Sequence, residues 1–419
     1  MDGRVNGKPL EPAVGHPPSE HGARSLAHVR KFLAASAAPL VEALERDCPD
    51  TAFAVEADGR LAKPLYNLKL AMQQASAAAG LYCPHLDPPD GLGLSLVDCM
   101  YLQEEVFRHG LRGQQWMLAW TEGPSPLVAY WSPEARDRHL PDFLAGRTNV
   151  CFALTEPEAG SDFPSLTTSA RPDTDGWIIS GEKHLITGAP QAELAQVFVR
   201  LEGAGRGELT AFLVPLETDG VERGPVQQTI MADGQTGSLL FTDVRVPHSA
   251  LIGTEGGAQQ LAFAWINWAR TRRAGMCSGL ASFALQQALN FAHERRAFGR
   301  SIAELGTVAT MLSDSYMDWI AMRSLSLELL ARLDRSGYRG GTVSAADRRD
   351  ISVLKTWNDE ALFRVVDRAM QVHGGRGLLS ETGLEKILRV ARNLRVPAGT
   401  TEIQRAMIAE SLGQKSTGV

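Results

Sequence analysis

The sequence predicts an α+β protein in which a β domain lies between two helical domains. Helical periodicity dominates the chain from Leu26, short apolar or β-branched runs follow from Cys151, and helical periodicity returns after Gly257. A chain of 419 residues also exceeds one typical hydrophobic core, so we expect more than one subdomain. The predicted parts are a flexible tail over residues 1–25, a helical domain over 26–149, an antiparallel β-barrel or sandwich domain over 150–255, and a helical domain of four-helix-bundle type over 256–419.

Composition and charge argue against several classes of function. The formal net charge of −6 gives no polycationic surface, so we expect no nucleic-acid partner. No apolar run reaches the roughly 18 residues that a membrane-spanning helix needs, and the N-terminal segment lacks the apolar core of a secretory signal. The cysteines include no C-x-x-C pair, so we expect reduced thiols, no metal site and a cytoplasmic protein.

Amphipathic spacing predicts the helices of the first domain. The stretches Leu26–Leu33, Leu65–Ala79 and Leu96–His109 carry apolar residues at helical intervals. In the third stretch, we expect the adjacent carboxylates of Glu104 and Glu105 to lie on the solvent-facing side.

The stretch Cys151–Gly188 predicts strands around a turn-rich loop. Phe152–Thr155 is a short apolar strand, and Pro157 and Gly160 mark the loop that follows. The later strands, with a turn at 181–183 between the first two, are Trp177–Ser180, Leu185–Thr187, Gln196–Leu201, Leu209–Pro215 and Gly237–Val246. Small residues and hydroxyls at the strand ends would let a flat polar heterocycle approach backbone N–H groups.

Long amphipathic stretches predict the helices of the last domain. They are Met276–Arg296, Val308–Leu333, Ala346–His373, Glu385–Arg395 and Thr401–Leu412. The sequence HGGRG, from His373 to Gly377, breaks the third helix because adjacent glycines favour a helix end.

Five motifs occur in an order and spacing that resemble those of the acyl-CoA dehydrogenase family. They are TEPEAGSD, GEKHLITGA, FTDVRVPHSALIG, RRAFGRSI and the pair QVHGGRG and AGTTEIQ. The resemblance covers Leu26 to Leu412. It implies the family fold and an FAD held between the β domain and the C-terminal helices, with a second subunit completing the site. No G-x-G-x-x-G motif follows a predicted strand, so we expect no Rossmann-type dinucleotide site.

The resemblance assigns residues to the FAD site one by one. Around the isoalloxazine ring it implies Phe152, Leu154, Thr155, Ser161, Leu185 and Thr187. Toward the rest of FAD it implies Arg295, Phe298, Gln371, Gly374, Gly375, Thr400 and Glu402. Leu185 stands where the family often has a tryptophan. Without the surrounding motifs, the two threonines would be ordinary strand hydroxyls and the two glycines an ordinary helix cap.

Arg295 matches the arginine that reaches the FAD pyrophosphate of a neighbouring subunit in the family. A guanidinium suits this contact because its planar fork binds phosphate oxygens bidentately. The alternative is a solvated basic helix end, which we assign to the adjacent Arg296. The family's next cofactor contact, a Phe-Gln pair, is replaced here by Leu305 and Gly306.

Two further matches indicate a coenzyme A thioester as ligand. Arg270 matches an arginine near the acyl chain, and Asn267 stands where the family often has a CoA-contacting aspartate. Ser161 is also placed at the substrate by the resemblance. The alternative is that Arg270 and Asn267 are helix-surface residues.

The catalytic base of the family is missing from both of its usual positions. The resemblance implies removal of an α-proton by a carboxylate while a hydride leaves the β-carbon, and Ala398 and Ala269 occupy the two carboxylate positions. Ala398 keeps the backbone N–H that bonds the thioester oxygen in the family. Glu122 is a candidate for a relocated base, with a capping or surface role as the alternative.

Three interpretations of the function remain open. The first is FAD-dependent α,β-desaturation of an acyl-CoA with an atypical base and an electron acceptor such as an electron-transfer flavoprotein. The second is different chemistry on the same fold, either elimination or desulfination of a CoA thioester or flavin-dependent monooxygenation. The third is a non-catalytic partner subunit in a mixed oligomer. The family resemblance also implies a homo-oligomer, a dimer or the tetramer usual in the family.

Overall fold

A computed structural model describes residues 15–47, 55–231, 234–341 and 343–413. Its first part is helical, as predicted. The helices are α1 (Glu20–Phe32), which continues through a π-helical turn at Leu33–Ala37 into α2 (Ala38–Asp47), then α3 (Lys63–Ala78), α4 (Leu96–Phe107) and α5 (Pro133–Leu144).

The segment predicted as a tail over residues 1–25 is structured where it is described. Helix α1 begins at Glu20, before the expected start at Leu26, because Ser19 caps its N-terminus by accepting a hydrogen bond from the backbone N–H of Gly22. The side chain of His16 contacts Glu328 at 2.8 Å, and the Tyr101 hydroxyl donates to the His16 carbonyl. Residues 1–14 of the predicted tail lie outside the described residues.

The two carboxylates of α4 face the interior rather than solvent, so the solvent-side prediction was wrong. Glu104 and Glu105 are 6% and 9% exposed. Glu104 pairs with Arg323 of a later helix at 2.8 Å, and Glu105 pairs with Arg30 at 3.0 Å. Both arginine partners come from distant parts of the chain. The α4 sequence alone therefore could not show that the two carboxylates would form ion pairs in the interior.

The middle of the described chain forms an eight-stranded sheet. The strands are β1 (Val150–Ala153), β2 (Ser169–Asp173), β3 (Gly176–Thr187), β4 (Leu194–Leu201), β5 (Leu209–Pro215), β6 (Val221–Val226), β7 (Thr236–Pro247) and β8 (Leu251–Ile252). Their order is β6-β7-β3-β2-β4-β5-β8, with β1 beside β4. Most pairs are antiparallel, but β4 pairs in parallel with both β1 and β2, so the sheet is mixed rather than antiparallel throughout.

Strand β3 is continuous where the sequence suggested two strands and a turn. Its ladder with β7 shifts register between Ile179 and Gly181 and again between Lys183 and Ile186. Such bulges bend a strand without ending it. The predicted turn at 181–183 is therefore the bulged centre of one strand, and Leu185 has a left-handed φ of 55° in the second bulge.

The last part is helical again and shares a core with the first. Its elements are α6 (Ala258–Thr271), α7 (Arg273–Glu294), the two-stranded hairpin β9 (Arg296–Ala297) and β10 (Arg300–Ser301), α8 (Gly306–Arg335), α9 (Ala345–His373), α10 (Leu384–Leu394) and α11 (Thr401–Ser411). Helix α4 packs against α7 and α8. Leu102 and Val106 of α4 lie in one apolar cluster with Leu280 and Ala284 of α7, so the two predicted helical domains are joined by a common core.

The cysteines of the described residues are buried free thiols. Cys83, Cys99, Cys151 and Cys277 form no disulfide, and Cys48 lies outside the described residues. Burial raises the pKa of the Cys99 and Cys151 thiols to about 12. None of the helices in the described ranges is long and apolar enough to cross a membrane.

Candidate functional site

The hydroxyls predicted to face the flavin lie near the ends of β1 and β3. Thr155 is half-buried just after β1, and Thr187 is exposed at the last position of β3. Backbone pairing joins the two regions, because the His184 N–H donates to the Thr155 carbonyl at 2.9 Å. Neither hydroxyl forms a hydrogen bond with any described residue, so both are available to a ligand.

The apolar members of the predicted flavin set take three different positions. Leu154 is buried at 6% exposure and Leu185 is 53% exposed in the β3 bulge. Phe152 stacks on Trp265 of α6, with ring centroids 4.1 Å apart and 6° between the planes. The Phe152 ring is therefore already covered on one face by the protein itself.

A buried ion pair that the sequence did not predict anchors the loop after β1. Lys183 Nζ lies 2.8 Å from Glu156 Oε1, and the two side chains are 0% and 4% exposed. Glu156 also accepts hydrogen bonds from the backbone N–H groups of Thr167 and Thr168. Burial opposes ionisation, but Lys183 and these donors outweigh it and lower the pKa of Glu156 to about 2. The pair fixes the path of the chain between Thr155 and the exposed Ser161.

Arg295 and Phe298 project from the hairpin that follows α7. Arg295 is the last residue before β9, and its exposed guanidinium has no partner among the described residues. Phe298 and Gly299 turn the hairpin with φ values of 53° and 80°. The Phe298 side chain is 89% exposed, an extreme value for a large apolar group in a folded chain. Both side chains are thus presented outward, away from this chain's own core.

The segment of Gln371, Gly374 and Gly375 forms the carboxyl end of α9. Gln371 is exposed, and both glycines have open space where a Cβ would stand. Gly374 ends the helix with a φ of 57°. His373 is held inside the helix end by stacking on Phe291 at 4.5 Å, so the exposed face carries the glycines rather than the imidazole.

Two buried arginines hold the Ala398 turn, which comprises residues 395–400. Arg270 Nε donates to the Ala398 carbonyl at 2.9 Å, and its terminal nitrogen donates to Asn267 Oδ1 at 3.0 Å. Arg273 donates to the carbonyls of Leu394 and Pro397 at 2.9 and 3.2 Å. Arg270 and Asn267 are 3% and 2% exposed, so the alternative that they lie on a helix surface is wrong.

Ala398 itself has a backbone suited to binding an oxygen. Its φ of 61° lies in the left-handed region, which costs a non-glycine residue roughly 1–2 kcal/mol. Its carbonyl is occupied by Arg270, while its N–H has no acceptor among the described residues. Thr400, two residues further on, caps α11 by accepting from the Ile403 N–H, and Glu402 lies exposed in the first turn of that helix.

The other vacant base position, Ala269, is buried on α6. It is 6% exposed and belongs to the same apolar cluster as Trp265 and Trp268. The partly buried Ala398 packs against that cluster. The two alanines therefore adjoin one apolar region.

Glu122 is engaged in a second buried ion pair. Its Oε2 lies 2.7 Å from Lys69 Nζ, with the side chains 7% and 1% exposed. Its Oε1 has no hydrogen-bond partner among the described residues and packs so closely over Gly188 that a Cβ there would be 2.6 Å away. If Glu122 accepted a proton, the Lys69 ammonium would be left in the interior without its counter-ion. This argues against the relocated-base assignment and for a structural role, which differs from the predicted cap or surface position.

Comparisons with known proteins agree with this arrangement. The chain matches the family models "Acyl-CoA dehydrogenase, middle domain" over residues 151–244 and "Acyl-CoA dehydrogenase, C-terminal domain" over residues 256–413. It is 32% identical over 329 residues to a probable acyl-CoA dehydrogenase, YngJ, of Bacillus subtilis, covering 77% of this chain and 84% of the relative. It is 31% identical over 292 residues to the human mitochondrial short-chain specific acyl-CoA dehydrogenase, covering 68% of each.

Solved structures extend the similarity to nearly the whole chain. A putative acyl-CoA dehydrogenase from Mycobacterium abscessus superposes with a TM-score of 0.80 at 26% identity, covering 94% of this chain and 98% of that one. An FAD complex of PigA has the same fold, with a TM-score of 0.81 at 22% identity, covering 96% and 100%. With the motifs, the mixed sheet between helical parts and these relatives in agreement, the chain belongs to the acyl-CoA dehydrogenase family.

Proposed function

We propose that this protein is an FAD-dependent oxidoreductase that desaturates an acyl-CoA thioester between its α and β carbons. Family membership supports the reaction class. The observation that carries the proposal for this chain is the Ala398 turn, in which a free backbone N–H lies beside a carbonyl that the buried Arg270 already occupies. Such a donor can polarise a thioester oxygen.

The residues present fit an FAD. The hydroxyls of Thr155, Ser161 and Thr187 and the guanidinium of Arg295 are at least partly exposed and without partners among the described residues. The open glycines at the end of α9 leave room for a phosphate-bearing group to approach the backbone. The solved FAD complex of PigA has the same fold. When bound, FAD supplies the two-electron acceptor for the hydride.

The remaining residues of the predicted set have supporting roles in this proposal. Leu154 and Phe152 form the apolar floor under the ring, and Leu185 takes the place of a larger side chain. Phe298, Gln371, Gly374 and Gly375 contact the adenosine-diphosphate half. Thr400 and Glu402 set the start of α11 and thereby the position of the Ala398 turn.

Thioester activation depends on the protein's own buried cations. Arg270 remains protonated, although burial and the nearby Arg273 lower its pKa to about 10. Its hydrogen bond to the Ala398 carbonyl fixes the direction of the Ala398 N–H, which would donate to the thioester oxygen and increase the acidity of the α-carbon. Asn267 orients Arg270 through its side-chain oxygen and need not contact the ligand.

The proton acceptor is the unusual part of the proposal. Alanines occupy both family positions, and Glu122 is paired with Lys69. We therefore propose an acceptor outside these three positions, supplied by the substrate or by another residue. Because both base positions are vacant, non-oxidative conversion of a CoA thioester is the second candidate function. Monooxygenation and a partner-subunit role remain outcomes of the test.

We also propose a homo-oligomer and a redox partner such as an electron-transfer flavoprotein. The outward-facing Phe298 and Arg295 support a contact with a second copy, since such an exposed phenylalanine gains apolar burial when covered. A dimer is the smallest assembly that would complete the FAD site in this way, and a tetramer is two such dimers.

An anaerobic spectrum of the purified protein tests the reaction. Acyl-CoAs are added to the FAD-loaded protein, and the visible flavin band is followed. Bleaching by a thioester supports desaturation. A band that stays oxidised while thioester is consumed supports non-oxidative chemistry, oxygen-dependent turnover with an added reductant supports monooxygenation, and turnover only with a second polypeptide supports the partner-subunit role. A protein that binds no FAD would overturn the proposal.

A further inference from the structure

Arg272, at the junction of α6 and α7, is a buried cation without an acidic partner. It is 8% exposed. One terminal nitrogen donates to the Ala119 carbonyl, and the other, Nη1, is shielded from solvent and has no hydrogen-bond partner in the part of the chain that the structure describes. No carboxylate among the described residues forms an ion pair with it or with the buried Arg270, whereas the buried Arg273 and Arg323 pair with Asp359 at 3.7 Å and with Glu104 at 2.8 Å. Burial lowers the pKa of Arg272 to about 9, so it is still charged at neutral pH.

Two tryptophans hold this guanidinium in place. Its central carbon lies 4.0 Å from the ring centroid of Trp120 and 4.4 Å from that of Trp268. Cation–π contacts of this kind stabilise a cation and fix the plane of its fork. They satisfy none of its N–H groups, so the unpartnered Nη1 still needs an acceptor.

Arg272 lines a small cavity whose other polar atoms are also unpartnered. The cavity has a volume of about 30 Å³, and its wall includes His85, Cys99, Gln103, Leu118, Trp268 and Arg272. His85 Nε2 and Gln103 Oε1 are shielded from solvent and form no hydrogen bond with any residue of the described ranges. Burial and the charge of Arg272 lower the pKa of His85 to about 3, so the imidazole is neutral. The cavity thus carries a single, uncompensated positive charge.

The cavity adjoins the region of the proposed thioester site. Arg272 follows Ala269 by one helical turn, and Trp268, which stacks on Arg272, belongs to the apolar cluster of Ala269. The Ala398 turn packs against the same cluster. Trp268 thus belongs both to the cavity wall and to the apolar cluster beside the two alanines.

We propose that Arg272 binds a carboxylate at the far end of the acyl group, so that the substrate is the mono-CoA thioester of a dicarboxylic acid. This rests on the proposed function of the thioester site. A guanidinium binds a carboxylate through two parallel N–H groups. The carboxylate of the ligand would therefore be the acidic partner that Arg272 lacks within the described residues. Gln103 and the neutral His85 add polar contacts around the same end.

A purely structural role for Arg272 would not explain why a cation is buried here without a counter-ion. Burying a cation without a counter-ion is costly, and well-packed apolar replacements of buried charges are often neutral or stabilising. The cavity volume of about 30 Å³ has room for roughly two water-sized groups, which is the scale of the two oxygens of one carboxylate. A ligand therefore accounts for a buried, unpaired Arg272 better than the stability of the free protein does.

Matched ligands test the proposal on the FAD-loaded protein. Dissociation constants are measured by calorimetry for succinyl-, glutaryl- and adipyl-CoA and for butyryl-, valeryl- and hexanoyl-CoA, which pair them by length. At least one carboxylate-ended ligand is expected to bind tenfold or more tighter than its methyl-ended partner. Three pairs that each agree within about twofold would overturn the inference. Free glutarate that binds as tightly as glutaryl-CoA would overturn the thioester-tail assignment.

Substitution of Arg272 provides a second test of the proposal. Arg272→Met should abolish the preference within a pair, leave the affinity for the methyl-ended partner within about twofold, and keep or raise the unfolding temperature. Arg272→Lys, which keeps the charge without the fork, should retain a reduced preference and guards against misfolding of the Met variant. A preference that survives in both variants would overturn the inference. If neither kind of thioester binds the FAD-loaded protein, the proposed function fails and this inference with it.

Discussion

Arg270 Nε lies 2.9 Å from the carbonyl oxygen of Ala398, across a sequence separation that makes this contact invisible in any local pattern. Arg270→Gln should loosen the turn, because a charged donor to a buried carbonyl contributes about 1.5–3 kcal/mol. We expect thioester affinity to fall tenfold or more with the FAD content unchanged, measured by calorimetry and by flavin absorbance. Arg405→Gln, on an exposed arginine of α11 paired with Glu360, is the matched control. Equal thioester affinity in wild type and Arg270→Gln would contradict the positioning role.

Restoring the family carboxylate tests the vacant base position. Ala398 already adopts a left-handed φ of 61° with a Cβ present, so Ala398→Glu adds no new backbone penalty. If α-proton removal limits the rate, flavin reduction by an acyl-CoA should accelerate by about 10²–10⁴-fold, the usual contribution of a general base. Stopped-flow absorbance measures this rate, and Ala398→Gln is the isosteric control. An unchanged rate in a folded, FAD-loaded Ala398→Glu protein would argue for non-oxidative chemistry.

The hairpin arginines form a matched pair for cofactor binding. Arg295→Ala should lower FAD affinity by about ten- to a hundredfold, since a bidentate phosphate contact is lost, while helix content stays the same. Arg296→Ala, one position along and also exposed, should retain FAD. The flavin-to-protein ratio after gel filtration and the circular dichroism spectrum check both variants. Equal FAD retention by the Arg295→Ala and Arg296→Ala variants would contradict the assignment of Arg295 to the FAD pyrophosphate.

Variants of the Lys69–Glu122 pair test whether Glu122 has a structural or a catalytic role. Glu122→Gln should cost about 3–5 kcal/mol of unfolding free energy, because it leaves the Lys69 ammonium buried and unpaired. Adding Lys69→Met should recover much of that loss. Denaturant unfolding of the two single variants and the double variant measures the coupling. If Glu122→Gln instead leaves stability intact and abolishes flavin reduction, Glu122 is the base after all.

Stability should fall at low pH through Glu156. Its pKa is about 2 in the folded protein against an ordinary value of 4.5, so its contribution is complete above about pH 5 and is lost as the pH falls toward 2. The shift corresponds to a loss on the order of 3 kcal/mol. Denaturant unfolding at stepped pH values measures it. Glu156→Gln should flatten this part of the profile, whereas Glu158→Gln, on the exposed part of the same loop, should not.

The fold class was predictable because the spacing of apolar residues distinguishes the helical stretches from the strand stretches over most of the chain. The mixed arrangement of helical parts around a central sheet is confirmed, and α9 begins and ends within one residue of its predicted bounds. Strand β3 was wrong in detail because a bulge and a turn share the same local signals, glycine and charged residues between apolar ones. The parallel pairing of β1 with β4 depends on contacts between distant segments, which periodicity does not encode.

The candidate site was predictable only where a family motif carried it. Arg270 was found that way, but Arg273, Lys69 and Lys183 were missed, because each gains its role from a partner remote in sequence. One local signal was present for Arg272. Three arginines within four positions of an otherwise apolar helical stretch cannot all face solvent when the flanking residues are buried on every side.

The reaction rates of the buried cysteines can report local opening of the folded protein. A thiol reacts as the thiolate, and burial both shields Cys99, Cys151 and Cys277 and raises their pKa values. Alkylation of these positions in the native protein must therefore wait for the surrounding core to open. Since Cys151 lies in the sheet and Cys277 in the helical core, the modification rates of the two, followed by peptide mass, would report whether the sheet and the helices unfold together or in sequence.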